Sequence, residues 1–221
     1  MTQKITTAVL SLLILFAAVR AAAAPTKVDD KKLLCSDVFF AGVKRNAADY
    51  LEKVEKYFNG ITTFESDFVQ IDGRGRCSVG RFFLKRPRLM KMDYQNPPTH
   101  VIIAKNNRIV HYDRELKERT ETSMYSSPLS FLLSPEVNLR KHLKILSIRE
   151  ESDAVFIKFR RKNEDIDGAV ILVFSKNPLT LRKWILLENE NDEHSDGNIE
   201  VSLLNWKLGH DIPSKVFDTF N

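Results

Sequence analysis

Between residues 64 and 206 the apolar spacing of the chain becomes two and stays two, segment after segment. Successive side chains of a strand point to opposite faces, so this spacing marks strands with one face buried. Eleven such segments are readable, near 64–72, 77–85, 88–95, 101–105, 108–113, 118–125, 144–150, 154–162, 169–175, 180–189 and 198–206. Most connections are short: "GRGR" (73–76) makes the first turn, and Asn106-Asn107 joins the fourth strand to the fifth. Strands linked this way pair antiparallel, because a parallel crossover needs a dozen residues or more. The pattern excludes a doubly wound α/β fold and predicts one large, mainly β domain.

Two stretches break the rule. Val43, Ala47, Tyr50, Leu51, Val54, Tyr57, Phe58 and Ile61 recur at three- and four-residue intervals, which predicts an amphipathic helix ending at Gly60. Midway, "SSPLSFLLSPEVNLRKHL" predicts two short apolar helices. Ser127 would cap the first, with Pro128 in its first turn, and Pro135 would open the second.

Several strands, "VIIA", "AVILVF" and "WILL", look apolar on both faces, and phenylalanine alone numbers 14. A small closed barrel would leave one face polar. Two readings fit: a wide curved sheet with helices over a hydrophobic hollow, or an ordinary sheet-and-helix core.

In "GRFFLKRPRLMKMDY" (80–94), Phe82, Leu84, Met90, Met92 and Tyr94 share one parity. Arg86 and Arg88 fall on the same side, which sets cations on a greasy face. Either Arg86 has buried partners, or Pro87 makes a bulge that turns it to solvent; Arg88 reads as a surface residue.

Residues 1–23 read as a cleaved signal peptide. Lys4 is followed by an apolar run of Ala8–Val19, too short to span a bilayer, and then by small residues. An uncut anchor is the alternative. The expected location is a bacterial periplasm, with residues 24–43 as an N-terminal extension and 44–221 as the functional domain. The formal charge of +5 drops to +3 when Lys4 and Arg20 are removed (5 − 2). An exported basic chain points away from nucleic acid and toward anionic membrane surfaces or acidic proteins, or simply toward solubility. Cys35 and Cys77 can form one disulfide in such a compartment or stay as separate thiols.

Motifs for chemistry are missing. The five histidines are not at metal-ligand spacing, and no GxSxG, GxGxxG or phosphate loop occurs. The sequence gives no argument for an enzyme.

Five pieces in order resemble the LolA family of periplasmic lipoprotein carriers: Phe68 with Gln70, Gly80 to Pro87, Tyr112-Asp113, Pro128 to Leu132, and Trp206 to Leu208. The resemblance runs from about residue 44 to the end. It implies an unclosed antiparallel barrel of eleven strands with a three-helix lid over a hydrophobic cavity. It also implies a carrier without cofactor or catalysis that acts as a monomer. Such a carrier takes outer-membrane lipoproteins by their acyl chains from an inner-membrane ABC releasing complex and passes them to the outer membrane, where a receptor can receive them. The same fold could carry a phospholipid or glycolipid, or serve as a lipid-sensing regulatory domain. In the family the arginine of Lys-Arg-Pro holds the lid, which assigns Arg86 as a latch. Strand parity with the family's lid position sets Phe68, Leu84, Met90 and Met92 along the hollow, and Leu129, Phe131 and Leu132 on the lid. Leu89, Met90 and Met92 stand where the family often has an aromatic; methionine adapts to irregular apolar space.

Overall fold

The computed structural model describes residues 46–162 and 167–218. Helix α1, Asn46–Gly60, is followed by β1 (Thr63–Asp72), β2 (Cys77–Lys85), β3 (Leu89–Asn96), β4 (His100–Lys105), β5 (Arg108–Asp113) and β6 (Glu118–Ser123). After a connecting segment come β7 (Leu143–Glu150), β8 (Ala154–Arg161), β9 (Ala169–Lys176), β10 (Leu179–Leu187) and β11 (Ile199–Leu208). All eleven form one sheet in the order β6-β5-β4-β3-β2-β1-β11-β10-β9-β8-β7. Every neighbouring pair is antiparallel. The first and last strands of the chain pair at the centre, and β6 and β7 end the sheet. The expected unclosed antiparallel sheet of eleven strands is therefore present.

Alternation explains which face is which. Phe64 and Phe68 of β1, Phe82 and Leu84 of β2, and Met92 and Tyr94 of β3 share one parity and are buried. With Ile157 and Phe159 of β8 and Leu172 and Phe174 of β9 they form one core beneath α1. This is the inner face. Helix α1 lays Leu51, Val54 and Phe58 on it, three residues whose spacing shares one side of a helix. Phe58 and Phe174 meet edge to face at 5.7 Å.

The outer face of β9 explains its doubly apolar sequence. Ala169, Ile171 and Val173 form a separate small cluster with Leu187 of β10. The Arg149 guanidinium lies 4.1 Å from the ring centre of Phe156, which packs against this cluster. A C-terminal 3₁₀ turn, Ser214–Phe217, packs on β3 and β4 and buries Phe217.

The segment between β6 and β7 differs from expectation. In place of two helices there are 3₁₀ turns at Met124–Ser126 and Ser130–Leu133 and a one-turn helix α2, Leu139–His142. Pro128 and Pro135 bracket too few residues for an α-helix to propagate. The tighter 3₁₀ turn lets Phe131, Leu132 and Leu133 all bury. Helix α2 is opened by Asn138, whose Oδ1 accepts from Lys141 N at 2.8 Å, and not by Pro135.

Candidate functional site

The site is built around the β2–β3 hairpin. Its register pairs Leu84 with Met90, Phe82 with Met92 and Gly80 with Tyr94. Parity alone therefore sets four apolar side chains in two cross-strand pairs on the inner face. Gly80 is the seat of the Phe68 ring. A Cβ there would stand 2.7 Å from that ring and 2.2 Å from Asp93 O, so only glycine fits. The Phe68 ring in turn meets Tyr94 at 5.0 Å, and the Tyr94 hydroxyl donates to Gln70 Oε1 at 2.7 Å.

Above these strands lies the connecting segment. Phe131 and Leu132 are buried and Leu129 is half-buried. Phe131 touches Phe58 of α1 at 5.7 Å and Phe159 of β8 at 5.5 Å, so it ties helix, lid and far sheet together. Phe68, Leu84 and Met92 are buried too, while Met90 is half-buried against the same core. The seven side chains named from the sequence thus belong to one apolar cluster with α1. On the inner face these side chains pack against one another beneath the segment.

Arg86 lies between β2 and β3, in the turn and not in a strand, because β2 stops at Lys85. Its own N–H donates to Thr62 O at 2.8 Å. Nη1 donates to Phe58 O, with Ile61 O at 3.5 Å. Nη2 donates to Ser134 O at 2.7 Å and Pro135 O at 3.3 Å. One planar guanidinium thus joins the C-terminal end of α1 to the end of the lid turn. The first two carbonyls lie where helix carbonyls lack intrahelical partners and the helix dipole is negative. Burial lowers the guanidinium's pKa from its ordinary value, and its Nε is buried with no acceptor among the described residues. The arginine is held, and not perfectly. Arg88 is exposed in the left-handed region (φ 71°), and its N–H donates to Leu133 O at 3.0 Å.

Two further holders had no signal in the sequence. Asn59 pairs its amide with the backbone of Val137, Nδ2 donating to O at 3.0 Å and Oδ1 accepting from N at 2.8 Å. Glu55 Oε1 accepts from Leu139 N at 2.7 Å, at the start of α2. Helix α1 therefore carries the lid segment through side chain–backbone bonds.

A polar corner closes the far end of the same face. His100 of β4 and His111 of β5 are buried and stacked at 5.0 Å, with Asp113 Oδ2 3.7 Å from His100 Nδ1. Burial, helped by the His111 and Arg114 charges and opposed by Asp113, pushes His100 down to about 4. His111 is lowered as well, chiefly by burial.

Cys77 is exposed at the start of β2. The disulfide alternative for Cys35 and Cys77 falls on a residue outside those described, as do the expected signal peptide and the whole of the expected N-terminal extension. Among the described residues no group of three or more His, Cys, Asp or Glu could hold a metal, and no helix is long and apolar enough to cross a membrane.

Comparison with known proteins adds the following. An uncharacterised protein of Rickettsia prowazekii is 22% identical over 142 residues, covering 64% of this chain and 66% of that protein. An outer-membrane lipoprotein carrier protein of Methylococcus capsulatus is 27% identical over 129 residues, 55% of this chain and 62% of that one. The chain thus spans somewhat less than two thirds of either relative's own length. A crystal structure of an uncharacterised conserved protein from Thermus thermophilus aligns with a TM-score of 0.49 at 12% identity, covering 80% of this chain and 95% of that one. A family model described as outer membrane lipoprotein carrier protein LolA matches residues 59–219, which include every strand, the lid segment and Arg86. The chain belongs to the LolA family of outer-membrane lipoprotein carrier proteins.

Proposed function

We propose that this protein is a periplasmic carrier that binds the acyl chains of lipoproteins and delivers them to the outer membrane. One observation supports the reading above others. A large apolar sheet face is covered by a short segment that one guanidinium ties to α1 through four backbone carbonyls. A core meant only for stability needs no such device, since apolar packing alone would hold it.

In this reading Arg86 is the latch. In the empty protein its donors hold α1 and the lid, and the apolar side chains fill the space themselves. An entering acyl chain replaces those contacts with its own, at about 0.8 kcal/mol per buried methylene. Opening gives up the Arg86 hydrogen bonds. Release is then favoured because the empty protein regains them, and the two forms exchange as populations without chemistry. Phe68, Leu84, Met90 and Met92 line the opened hollow, and Leu129, Phe131 and Leu132 form its cover. Cargo arrives from an inner-membrane ABC releasing complex.

The test is depletion of the protein followed by membrane fractionation. Lipoproteins should accumulate in the inner membrane. Unchanged lipoprotein sorting would reject the assignment, and mass spectrometry of co-purifying lipid would then identify the cargo actually carried.

A further inference from the structure

The segment between β6 and β7 is fastened in two different ways along its length. Its second part, residues 137–142, is gripped from two sides. On the α1 side, Asn59 takes both backbone groups of Val137, and Glu55 Oε1 accepts from Leu139 N at 2.7 Å and from Arg140 N at 3.4 Å. At the end of β8, Lys162 N donates to His142 O at 3.0 Å and Lys162 Nζ to Arg140 O at 2.6 Å. Val137 and Leu139 are buried as well. Helix α1 is itself tied to the sheet, for the Tyr57 hydroxyl accepts from Leu181 N of β10 at 3.2 Å.

The first part, residues 125–134, bonds along its own turns. Ser130 N donates to Ser127 O at 3.0 Å, Leu132 N to Leu129 O at 3.0 Å and Ser134 N to Phe131 O at 3.2 Å. From elsewhere, three arginines reach its backbone: Arg86 Nη2 donates to Ser134 O, Arg88 N to Leu133 O at 3.0 Å, and Arg161 Nη1 to Tyr125 O. Phe131, Leu132 and Leu133 bury their side chains in apolar contacts, which are non-directional and which an acyl chain can replace. Both ends suit a pivot. Met124 is buried, and its N–H donates to Asn107 O at 2.9 Å, which fixes that end to the β4–β5 turn. At the other end Ser134 is extended (φ −69°, ψ 146°), and Pro135 has no N–H with which to continue the turn.

We propose that the moving part of the lid is residues 125–134, pivoting between Met124 and Pro135, while residues 137–142 stay with α1. Arg161 holds the start of this flap as Arg86 holds its end. The inference rests on the carrier reading for its purpose and adds which part of the cover opens and a second residue that keeps it shut.

Amide hydrogen exchange of the whole protein, followed residue by residue by NMR, is the test. The Arg88 N–H is bonded to Leu133 O and reports the flap, whereas the Val137 and Leu139 N–H groups are bonded to α1 side chains and report the fixed part. In Arg161→Gln the Arg88 N–H should exchange about five- to tenfold faster, the worth of one hydrogen bond from a partly exposed cation, with Val137 and Leu139 unchanged. Arg161→Lys should fall between, because an ammonium still has donors for Tyr125 O. A purely local role for Arg161 would leave Arg88, in the β2–β3 turn, untouched. Acceleration of all three amides would mean that the lid moves as one body, and no change at Arg88 would remove Arg161 as a holder; either result overturns the proposal. Uptake of a fluorescent acyl probe, measured in parallel, should quicken in Arg161→Gln. If no probe binds while the amides divide as stated, the carrier reading fails and the division of the lid stands.

Discussion

Replacing Arg86 by leucine tests the latch most directly. Of its four side-chain acceptors, Phe58 O and Ser134 O are well placed, while Pro135 O at 3.3 Å and Ile61 O at 3.5 Å are marginal. Two good bonds from a cation at about 1.5–3 kcal/mol each give about 3–6 kcal/mol as a ceiling. Burying the guanidinium opposes this, as its lowered pKa and unmatched Nε show. A net loss of about 2–3 kcal/mol from the empty closed state remains, which is about 30- to 150-fold in the balance between empty and loaded forms. Because only the empty state loses, cargo is held more tightly. At equal expression the fraction of carrier co-eluting with lipoprotein in gel filtration should rise well above wild type, and the variant should block release dominantly. Arg86→Lys should fall between, since one ammonium cannot span both sets of carbonyls. A leucine variant that folds but carries less lipoprotein than wild type would refute the argument.

Other outcomes follow from the same geometry. Asn59→Ala strips both partners from the Val137 backbone and should cost about 1–3 kcal/mol, read as a lower urea midpoint. The buried histidines set a pH dependence. The His100 pKa falls to about 4 from its ordinary 6.5, so the unfolded chain binds the proton first. The stability this contributes is complete above pH 6.5 and is lost as pH falls toward 4, by about 2 kcal/mol once solvent screening is allowed for. Urea midpoints from pH 7 to 4.5 should show the loss, and the double variant His100→Gln/His111→Gln should flatten it. An equal slope in wild type and variant would remove the pair as its cause.

Much of the fold was legible because strand alternation is a local signal. The Asn106-Asn107 pair marks a hairpin turn through its chemistry, and both residues adopt the positive φ that such a turn needs (53° and 62°). Parity likewise found Phe82, Leu84, Met90 and Met92. The lid was misread because Ser127-Pro128 resembles a helix start, and only packing decides that three consecutive apolar residues bury in a 3₁₀ turn. Asn59 and Glu55 were invisible because their backbone partners lie 78 and 84 positions away. Such bonds leave no periodic trace. The stacking of His100 and His111 depends on the β4–β5 register, where Ile102 and not His100 stands opposite His111.

The central pairing of β1 with β11 has a consequence for how the chain is made. Strands β1 to β6 form one meander and β7 to β11 another, each built from neighbours in sequence. Only β1 with β11 joins residues as distant as Phe68 and Leu203. During synthesis β1 must wait, one edge open, until the final strand emerges. That edge is Thr63–Asp72, which carries Phe64, Phe68 and Val69, a template on which another chain could pair. The last contact to form is the slow one, set by closing a very long loop. A truncated or stalled chain lacking β11 would keep every hairpin of its first half, and its failure would be aggregation through β1, not loss of local structure.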